Sequence, residues 1–361
     1  MSKNSLLAQP VVSIVIPFYN SYDSIDRCLE SIIIQIYRDF EVIVVDDGST
    51  DSFSKTYAKF ISNNSQIKCA THSSNLGVSA ARNTGISESN GKFIFFLDAD
   101  DWLGKNALSN LIKQANTNSE LVMAPHNQYI SSENIKKKSY LVNSNEALID
   151  KDTILKYVKN YLYLPYEYIM FVHCWNKLYS SKIIKNNRIL FETDISQLED
   201  VNFNFKYLKF VSLISFSNTF DYFHYIENKS NSASGLAGSE TSSVEMCLVA
   251  FSSVKDYLEF NITLSEDKKL ELLGHHFVST AIIYLIRMTR AFIKKPNFSN
   301  YKYIKRWVES CHLLSNVNYY KVKNGESHLI KVVIKSGSTN LVIFACIFRI
   351  LNLKFRMLLN R

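Results

Sequence analysis

Apolar and polar positions over residues 11–130 alternate between two kinds of pattern. Five short runs are dominated by apolar residues, at 12–17, 40–45, 67–72, 93–97 and 121–124. The first, second and fourth runs are almost continuously apolar, which is typical of parallel strands buried on both faces. The runs therefore predict five strands of an α/β sheet.

Helical spacing appears between these runs. After the first run, apolar residues recur at Ile25, Leu29, Ile32, Ile33 and Ile36. Asn20 or Ser21 could cap this helix. Two more helices are expected, one beginning near Ser52 and one over residues 78–88. Strands that alternate with helices predict right-handed βαβ crossovers, with helices on both faces of the sheet.

The pattern beyond Asn145 is mixed and rich in aromatic residues. Helix-like stretches cover residues 153–163 and 201–210. The polar, small-residue stretch 228–239 is typical of a loop or linker. The remaining third is expected to be helical and basic.

Three polar turns directly follow predicted strands. PFYN (17–20) follows the first strand, DDGSTD (46–51) the second, and DADD (98–101) the fourth. Open α/β sheets bind ligands beyond the carboxyl ends of their strands. We therefore expect the three turns to share one edge of the sheet and to form the functional site.

The turn DADD places three carboxylates, Asp98, Asp100 and Asp101, directly after a buried run. Like charges this close disfavour one another unless a cation or hydrogen-bond donors compensate them. Divalent cations such as Mg²⁺ prefer carboxylate oxygens and usually keep water or phosphate as further ligands. A metal site is one interpretation. A solvated acidic turn whose last aspartate caps the next helix is the other.

Two further candidates lie in DDGSTD and SAARNTG. Gly48 suits a tight turn, and Asp47 could accept a hydrogen bond from the imide N–H of a uracil or thymine ring. Arg82, flanked by Ala80 and Ala81, could bind a pyrophosphate through its planar guanidinium. Taken alone, each has a simpler explanation: a common Asp-Gly-Ser turn and an arginine on a helix surface.

Five segments resemble, in order, the nucleotide-sugar half of family 2 glycosyltransferases: VSIVIPFYN, CLESII, FEVIVVDDGSTD, NLGVSAARNTGI and GKFIFFLDADDW. Three later segments resemble the acceptor half of that family: CWNKLYSSKII, QLEDVNFNFKYL and YFHYIENKSNSAS. The likeness covers residues 11–235. Its specificity lies in the ordered set, because no single segment is distinctive.

The resemblance implies a glycosyltransferase-A fold. A mostly parallel central sheet flanked by helices is expected, followed by a helical C-terminal extension. The expected domains are a glycosyltransferase domain over residues 1–235 and a helical, basic region over 236–361. Within the first domain, residues 11–101 would form the nucleotide-sugar half and 102–235 the acceptor half.

The resemblance also implies an inverting transfer of a sugar from a nucleotide-diphosphate donor, with a UDP-sugar expected. Carried over by position, the donor-binding residues are Pro17, Tyr19, Asn20, Asp47, Arg82 and Asp98. Asp100, with Asp98, is expected to hold Mn²⁺ or Mg²⁺. Asp101 is expected to be a helper or a helix cap.

The expected catalytic pair is Glu199 and Asp200. A carboxylate must take the proton of the attacking acceptor hydroxyl, and the resemblance assigns this role to Asp200, supported by Glu199. The alternative is that Asp200 caps the following helix. Trp175 and Tyr179 are either acceptor-stacking or core residues. His224 is either an extra metal ligand or a structural histidine.

Composition limits the number of domains, the state of the cysteines and the expected location of the protein. The chain has 361 residues, 47% of them hydrophobic, and a net charge of +8, which suits one large domain with an appendage or two domains. Six scattered cysteines without a CxxC pair indicate reduced thiols. We find no signal peptide and no apolar window of about 18 residues. A cytoplasmic protein, able to lie on the inner face of the plasma membrane, is expected.

The basic character is concentrated at the C-terminus. Residues 327–361 contain six Lys or Arg and no Asp or Glu. Residues 341–361 combine a dense apolar face with Arg349, Lys354 and Arg356, so they are expected either to lie on an anionic membrane surface or to dock on the protein. This short tail differs from the broad basic patch of nucleic-acid-binding proteins, and no nucleic-acid partner is expected.

The expected acceptor is a saccharide or lipid-linked saccharide of a growing bacterial surface glycan, such as capsule, O-antigen or lipopolysaccharide core. The main alternative is a catalytically inactive nucleotide-sugar or carbohydrate-binding protein at the membrane surface. A nucleotidyltransferase or a dehydrogenase is disfavoured, because neither a Gly-rich triphosphate loop nor a GxGxxG follows the first strand.

Overall fold

A computed structural model describes residues 9–50, 64–115, 119–130, 135–139, 147–165, 167–226, 244–261, 264–322 and 328–359. The chain divides into two compact units. Unit 1 comprises residues 1–154, 170–194 and 199–228, and unit 2 comprises residues 155–169, 195–198 and 229–361.

Unit 1 contains the strands of the described residues. They are β1 (Val12–Phe18), β2 (Phe40–Asp46), β3 (Ile67–Thr71), β4 (Phe93–Phe96), β5 (Trp102–Leu103), β6 (Leu121–Met123), β7 (His126–Ile130), β8 (Ile135–Ser139), β9 (Leu148–Asp150), β10 (Lys177–Ser180), β11 (Leu213–Phe216) and β12 (Tyr222–Ile226). The central sheet has the order β3-β2-β1-β4-β10-β6-β11-β9, and a second sheet has the order β5-β12-β7-β8.

The central sheet is mixed. Strands β3, β2, β1 and β4 pair in parallel, whereas β10 runs antiparallel to both of its neighbours, β4 and β6. All residues of β2 and β4 are buried, as expected for strands covered on both faces. The parallel half brings the carboxyl ends of β1, β2 and β4 to one edge.

The helices complete both units. Those that begin in unit 1 are α1 (Tyr22–Ile33), α2 (Val78–Glu88), α3 (Ala107–Ala115), α4 (Lys151–Tyr163), α5 (Ser181–Asn186) and α6 (Glu199–Leu208). Those of unit 2 are α7 (Val244–Asn261), α8 (Glu266–Lys294), α9 (Phe298–Val308), α10 (Cys311–Asn316), α11 (Leu329–Lys335) and α12 (Thr339–Leu359). Short 3-10 helices cover Ile169–Phe171 and Val317–Tyr319.

The predicted strands are confirmed, each to within one residue at its end, as β1 to β4 and β6. The helix predicted over 78–88 is α2, and the two later helical stretches correspond to α4 and α6 with shifts of about one half-turn. The prediction was wrong at the end of α1, which stops at Ile33 and leaves Ile34 and Ile36 exposed. The helix expected near Ser52 and the loop expected over 228–239 lie outside the described residues.

Helix α2 packs directly on β1 through a glycine. A Cβ atom built on Gly85 would lie 2.1 Å from Cγ1 of Val15, so any larger residue would force the helix away from the sheet. This close approach fixes α2, and with it Arg82, relative to the carboxyl ends of the parallel strands.

Unit 2 is helical where it is described. Helix α8 has 29 residues and packs against α7, α9, α10 and α12. None of the helices in the described part of the chain has an apolar stretch long enough to cross a bilayer.

Candidate active site

The first two polar turns are tied together at the carboxyl edge of the sheet. The Asn20 backbone N–H donates to Ser49 Oγ (3.0 Å), and the Thr50 N–H donates to Asn20 Oδ1 (2.9 Å). Asn20 has a positive φ of 46°, which asparagine tolerates better than most residues. Of the two cap candidates, Ser21 occupies the N-cap position of α1, without a side-chain capping hydrogen bond, whereas Asn20 bonds the other turn.

Asp47 organises the segment that enters α2. Its buried carboxylate accepts the backbone N–H groups of Leu76 (2.9 Å) and Gly77 (2.7 Å), and Nδ1 of His72 lies 2.6 Å from Oδ1. Gly48 beside it has φ +72°, and a Cβ atom there would lie 2.5 Å from the Ser74 carbonyl carbon. A glycine is therefore required, because both the conformation and the space exclude a side chain.

The turn after β4 is joined to the acceptor half by Arg82. Guanidinium Nη2 donates to Asp98 Oδ1 (3.1 Å), and Nη1 donates to Asp200 Oδ1 (2.8 Å) and Glu199 Oε1 (3.5 Å). Side-chain exposure is 5% for Arg82, 27% for Asp98 and 13% for Asp200. The arginine is thus enclosed, while the carboxylates that it binds still reach solvent.

Asp200 is held from two sides at the start of α6. Its second oxygen, Oδ2, accepts the backbone N–H of Cys174 (3.0 Å). Helix α6 begins at Glu199, so Asp200 already lies in its first turn. The alternative that Asp200 caps this helix is wrong, because its carboxylate bonds Arg82 and Cys174.

The pKa values of this cluster reflect its partial enclosure. Burial, and then the charge of Asp200, raise the pKa of Glu199 to about 7. Burial also raises the pKa of Asp98, although the adjacent Arg82 opposes this effect. Burial disfavours the charged guanidinium, but the carboxylates around it outweigh this cost and raise the pKa of Arg82 well above its ordinary value.

Asp100 and Asp101 have different surroundings although they are adjacent. Asp100 is an exposed residue, and partial desolvation of its carboxylate, together with the charges of Asp101 and Asp98, raises its pKa to about 7. Asp101 is fully buried and accepts hydrogen bonds from the Tyr222 hydroxyl (2.5 Å) and the Tyr225 N–H (2.8 Å). The helix-cap interpretation of Asp101 is wrong, because β5 follows it and its carboxylate anchors β12.

Asp98 and Asp100 fit a magnesium or manganese site in which the protein would supply only these two carboxylate ligands. Both present hard carboxylate oxygens, and the charges of Asp101 and Asp98 add to desolvation in raising the pKa of Asp100, so a cation there would offset the repulsion. Among the described residues, no group of three or more His, Cys, Asp or Glu is arranged to hold a metal ion. A site of two carboxylates completed by phosphate and water is the usual arrangement for Mg²⁺.

The side chains of His224, Trp175 and Tyr179 contact other side chains of the protein. His224 Nδ1 lies 3.2 Å from Asp101 Oδ1, and this carboxylate raises the pKa of His224 even though burial lowers it. Trp175 is buried and stacks on the rings of Tyr222 (4.8 Å) and His224 (5.1 Å). Tyr179 is buried and donates to Asn204 Oδ1 (2.7 Å). The structure places both aromatic residues in the core.

Pro17 and Tyr19 lie at the end of β1, where Pro17 is half-buried and Tyr19 is exposed. Sequence reasoning missed Arg27, which contacts the DADD turn. Its Nη2 donates to the Asp100 carbonyl (2.6 Å), and its guanidinium lies 4.3 Å from the Trp102 ring centre. The sequence around Arg27, beside polar Asp26 on a helix, does not indicate a functional role. The contact with the Asp100 carbonyl depends on the approach of α1 to the DADD turn.

The family-model match covers the part of the chain that contains Arg82 and the DADD turn. Residues 13–187 match the family model described as glycosyl transferase family 2. The chain is 28% identical over 285 residues to a cholesterol galactosyltransferase of Borreliella burgdorferi, covering 76% of each protein. It is 31% identical over 223 residues to a poly(ribitol-phosphate) beta-glucosyltransferase of Bacillus spizizenii, covering 60% of this chain but only 32% of that relative.

The fold has solved counterparts. The crystal structure of S. aureus TarS 1-349 covers 92% of this chain and 89% of its own length, with a TM-score of 0.63 and 18% sequence identity. The same protein has been solved in complex with UDP and with UDP-GlcNAc. The mixed sheet flanked by helices, with a helical C-terminal region, confirms the expected fold class. Residues 13–187 of this chain are thus similar to glycosyl transferase family 2, and the fold agrees with that likeness.

Proposed function

We propose that this protein transfers a sugar from a UDP-sugar donor to a hydroxyl of a growing bacterial surface glycan, with inversion at the anomeric carbon. The observation that carries the proposal is the shared guanidinium of Arg82, which bonds Asp98 of the donor half and Asp200 of the acceptor half. The group expected beside the donor and the group expected to act as base therefore bond the same guanidinium.

The donor would lie along the carboxyl edge of β1, β2 and β4. Pro17, Tyr19 and Asn20 are proposed to line the nucleotide, with Asp47 near the base and Asp98 near the ribose and sugar. A divalent cation held by Asp100 and Asp98 would supply Lewis-acid stabilisation of the diphosphate leaving group.

The acceptor hydroxyl needs a proton acceptor within hydrogen-bond reach as it attacks. We assign this role to Asp200. Its two oxygens each bond one strong donor, so the carboxylate is oriented and still has lone pairs free to receive a proton. Glu199, whose pKa is raised to about 7, supports the site as a neighbouring carboxyl.

The relatives act on different acceptors, as their names state, a sterol in one case and a ribitol-phosphate polymer in the other. We propose a saccharide or lipid-linked saccharide for this chain. The competing function is a nucleotide-sugar-binding protein without turnover. The enclosed but solvent-reachable carboxylate pair favours the enzyme, because a binding protein has no use for an oriented base.

The test is a panel of UDP- and dTDP-sugars assayed for nucleotide release with Mn²⁺ or Mg²⁺, followed by proton NMR of the product. The proposal predicts donor-dependent release that requires the metal, and a product with the anomeric configuration opposite to that of the donor. The Asp100→Asn variant should lose metal-dependent turnover, whereas Asp26→Asn, an exposed change on α1, should not. A retained configuration, or binding of donors without turnover across the panel, would contradict the proposal.

We further propose that unit 2 meets an anionic membrane surface through α12. One face of this helix is buried at Val342, Cys346 and Ile350, while Leu341, Phe344, Phe348 and Leu351 are 48–64% exposed. One face of α12 therefore packs on the protein, while its other face presents an exposed apolar stripe formed by Leu341, Phe344, Phe348 and Leu351. The absence of acidic residues over 327–361 matches an anionic partner.

Sedimentation with vesicles tests this contact. The full chain should bind vesicles that contain phosphatidylglycerol and not neutral phosphatidylcholine vesicles, and Phe344→Glu with Phe348→Glu should weaken binding. Leu270→Glu, an exposed apolar position on α8, is the control. Equal binding by the double variant and the control would show that the stripe does not meet the membrane.

A further inference from the structure

We propose that Arg82 is a positioning residue that locks the base to the donor side of the site, and that it is not a ligand of the donor pyrophosphate. The proposal rests on the proposed function, since it assumes that Asp200 takes the acceptor proton. It differs from the expectation drawn from the sequence, in which Arg82 binds the diphosphate.

Most donor groups of Arg82 are already directed at carboxylates. A guanidinium carries five N–H donors. The two of Nη1 are directed at Asp200 and Glu199, and one of Nη2 is directed at Asp98. The Nε–H is buried and has no partner among the described residues. That Nε–H and one N–H of Nη2 remain, whereas the fork formed by the two terminal nitrogens is already directed at carboxylates.

The side chain of Arg82 is also enclosed. Arg82 is 5% exposed, and its guanidinium lies 5.3 Å from the centre of the Phe191 ring. A group stacked on a ring and bonded to three carboxylates has one well-defined orientation. Turning toward a phosphate would leave these carboxylates without the cation that they share, at a large cost in a partly buried site.

Asp200 itself is held by two donors. Arg82 lies on α2 and Cys174 directly precedes the β10 region, so the two donors that hold the Asp200 carboxylate come from different parts of the chain. The bond to Asp98 then relates this carboxylate to the donor turn. Because misplacement of a reacting group by about 1 Å costs about 100-fold in rate, loss of this link should reduce turnover more than donor binding.

The experiment compares Arg82→Lys and Arg82→Gln with the wild-type chain, using the UDP-sugar that supports turnover. We expect kcat to fall about 100-fold in Arg82→Gln, with the donor KM and the affinity for UDP changed by less than about threefold. Arg82→Lys keeps the charge but not the fork, so it should lie between the two. If Arg82→Gln does not fold, Arg82→Lys alone is compared with the wild-type chain.

Guanidinium chloride at a non-denaturing concentration adds a readout that a general loss of structure would not give. It should restore turnover of Arg82→Gln at least about tenfold, while sodium chloride should not. Arg38→Gln is the control, because Arg38 is exposed and its guanidinium donates to the Ile33 carbonyl, away from the carboxylates that Arg82 binds. Its turnover should not respond to guanidinium.

The outcomes separate two failures. If Arg82→Lys raises the donor KM and weakens UDP binding while kcat stays near the wild-type value, Arg82 is a pyrophosphate ligand and the inference is wrong. If the wild-type chain shows no turnover, or if Asp200→Asn keeps full turnover, the proposed function fails and the inference fails with it.

Discussion

Replacing Asp47 with asparagine tests whether this residue organises the loop before α2 independently of any nucleotide. The wild-type carboxylate accepts the N–H groups of Leu76 and Gly77, one on each oxygen. Asparagine keeps one acceptor oxygen and places an amide N–H₂ where the other oxygen stood. One backbone N–H would then face another donor in a buried position.

The expected magnitude follows from these contacts. A hydrogen bond to a charged group contributes about 1.5–3 kcal/mol, and a buried donor left without an acceptor costs a similar amount. Loss of one such bond and weakening of the other should lower the free energy of unfolding of Asp47→Asn by about 3 kcal/mol. Asp46→Asn is the matched control, because the Asp46 carboxylate accepts the Ser49 N–H and an asparagine oxygen can keep that bond.

Urea denaturation of both variants without nucleotide, followed by fluorescence, measures the difference. We expect a clear loss of unfolding free energy for Asp47→Asn and a change below about 1 kcal/mol for Asp46→Asn. Equal stability of Asp47→Asn and wild type would refute the assigned role of Asp47 in the fold, and any loss of UDP binding would then come from direct contact with the base.

Two other predictions concern packing and pH. Gly85→Ala should lose about 1–3 kcal/mol of unfolding free energy, because its Cβ would meet Val15; in denaturation experiments, adding Val15→Ala should recover part of this loss, and strictly additive effects would contradict the contact. Burial, and then the charge of His275, lower the pKa of His276 to about 3, whereas an unfolded histidine has a pKa of about 6.5. The unfolded state therefore binds the extra proton, and stability is lost as pH falls from 6.5 toward 3. His276→Leu should lose about 2 kcal/mol less than wild type between pH 7 and pH 5, and an equal loss in both proteins would show that His276 is not the group responsible.

The sequence predicted the elements that local pattern determines. Continuous apolar runs specify β1, β2 and β4, because strands buried on both faces need apolar side chains at every position. The helix pattern overran at Ile36, which keeps the apolar spacing but is exposed. Nothing in the local pattern marks that change, because it depends on where the chain turns back toward β2.

The contacts of the site were less predictable. Arg82 and Asp200 are 118 positions apart, and Asp101 and Tyr222 are 121 positions apart. A residue type and a spacing indicate what chemistry a turn can support, but which carboxylate is enclosed and which faces solvent depends on these distant partners. For this reason the DADD turn could be predicted as a site from its sequence, while the structural role of Asp101 appeared only in the folded chain.

The most direct test of the account is the turnover of Asp200→Asn with its affinity for UDP measured on the same preparation. Loss of a general base costs about 100-fold to 10,000-fold in rate, and the account predicts a fall in kcat of that size with UDP binding unchanged. Turnover close to the wild-type value would contradict the assignment of Asp200 as the group that takes the acceptor proton.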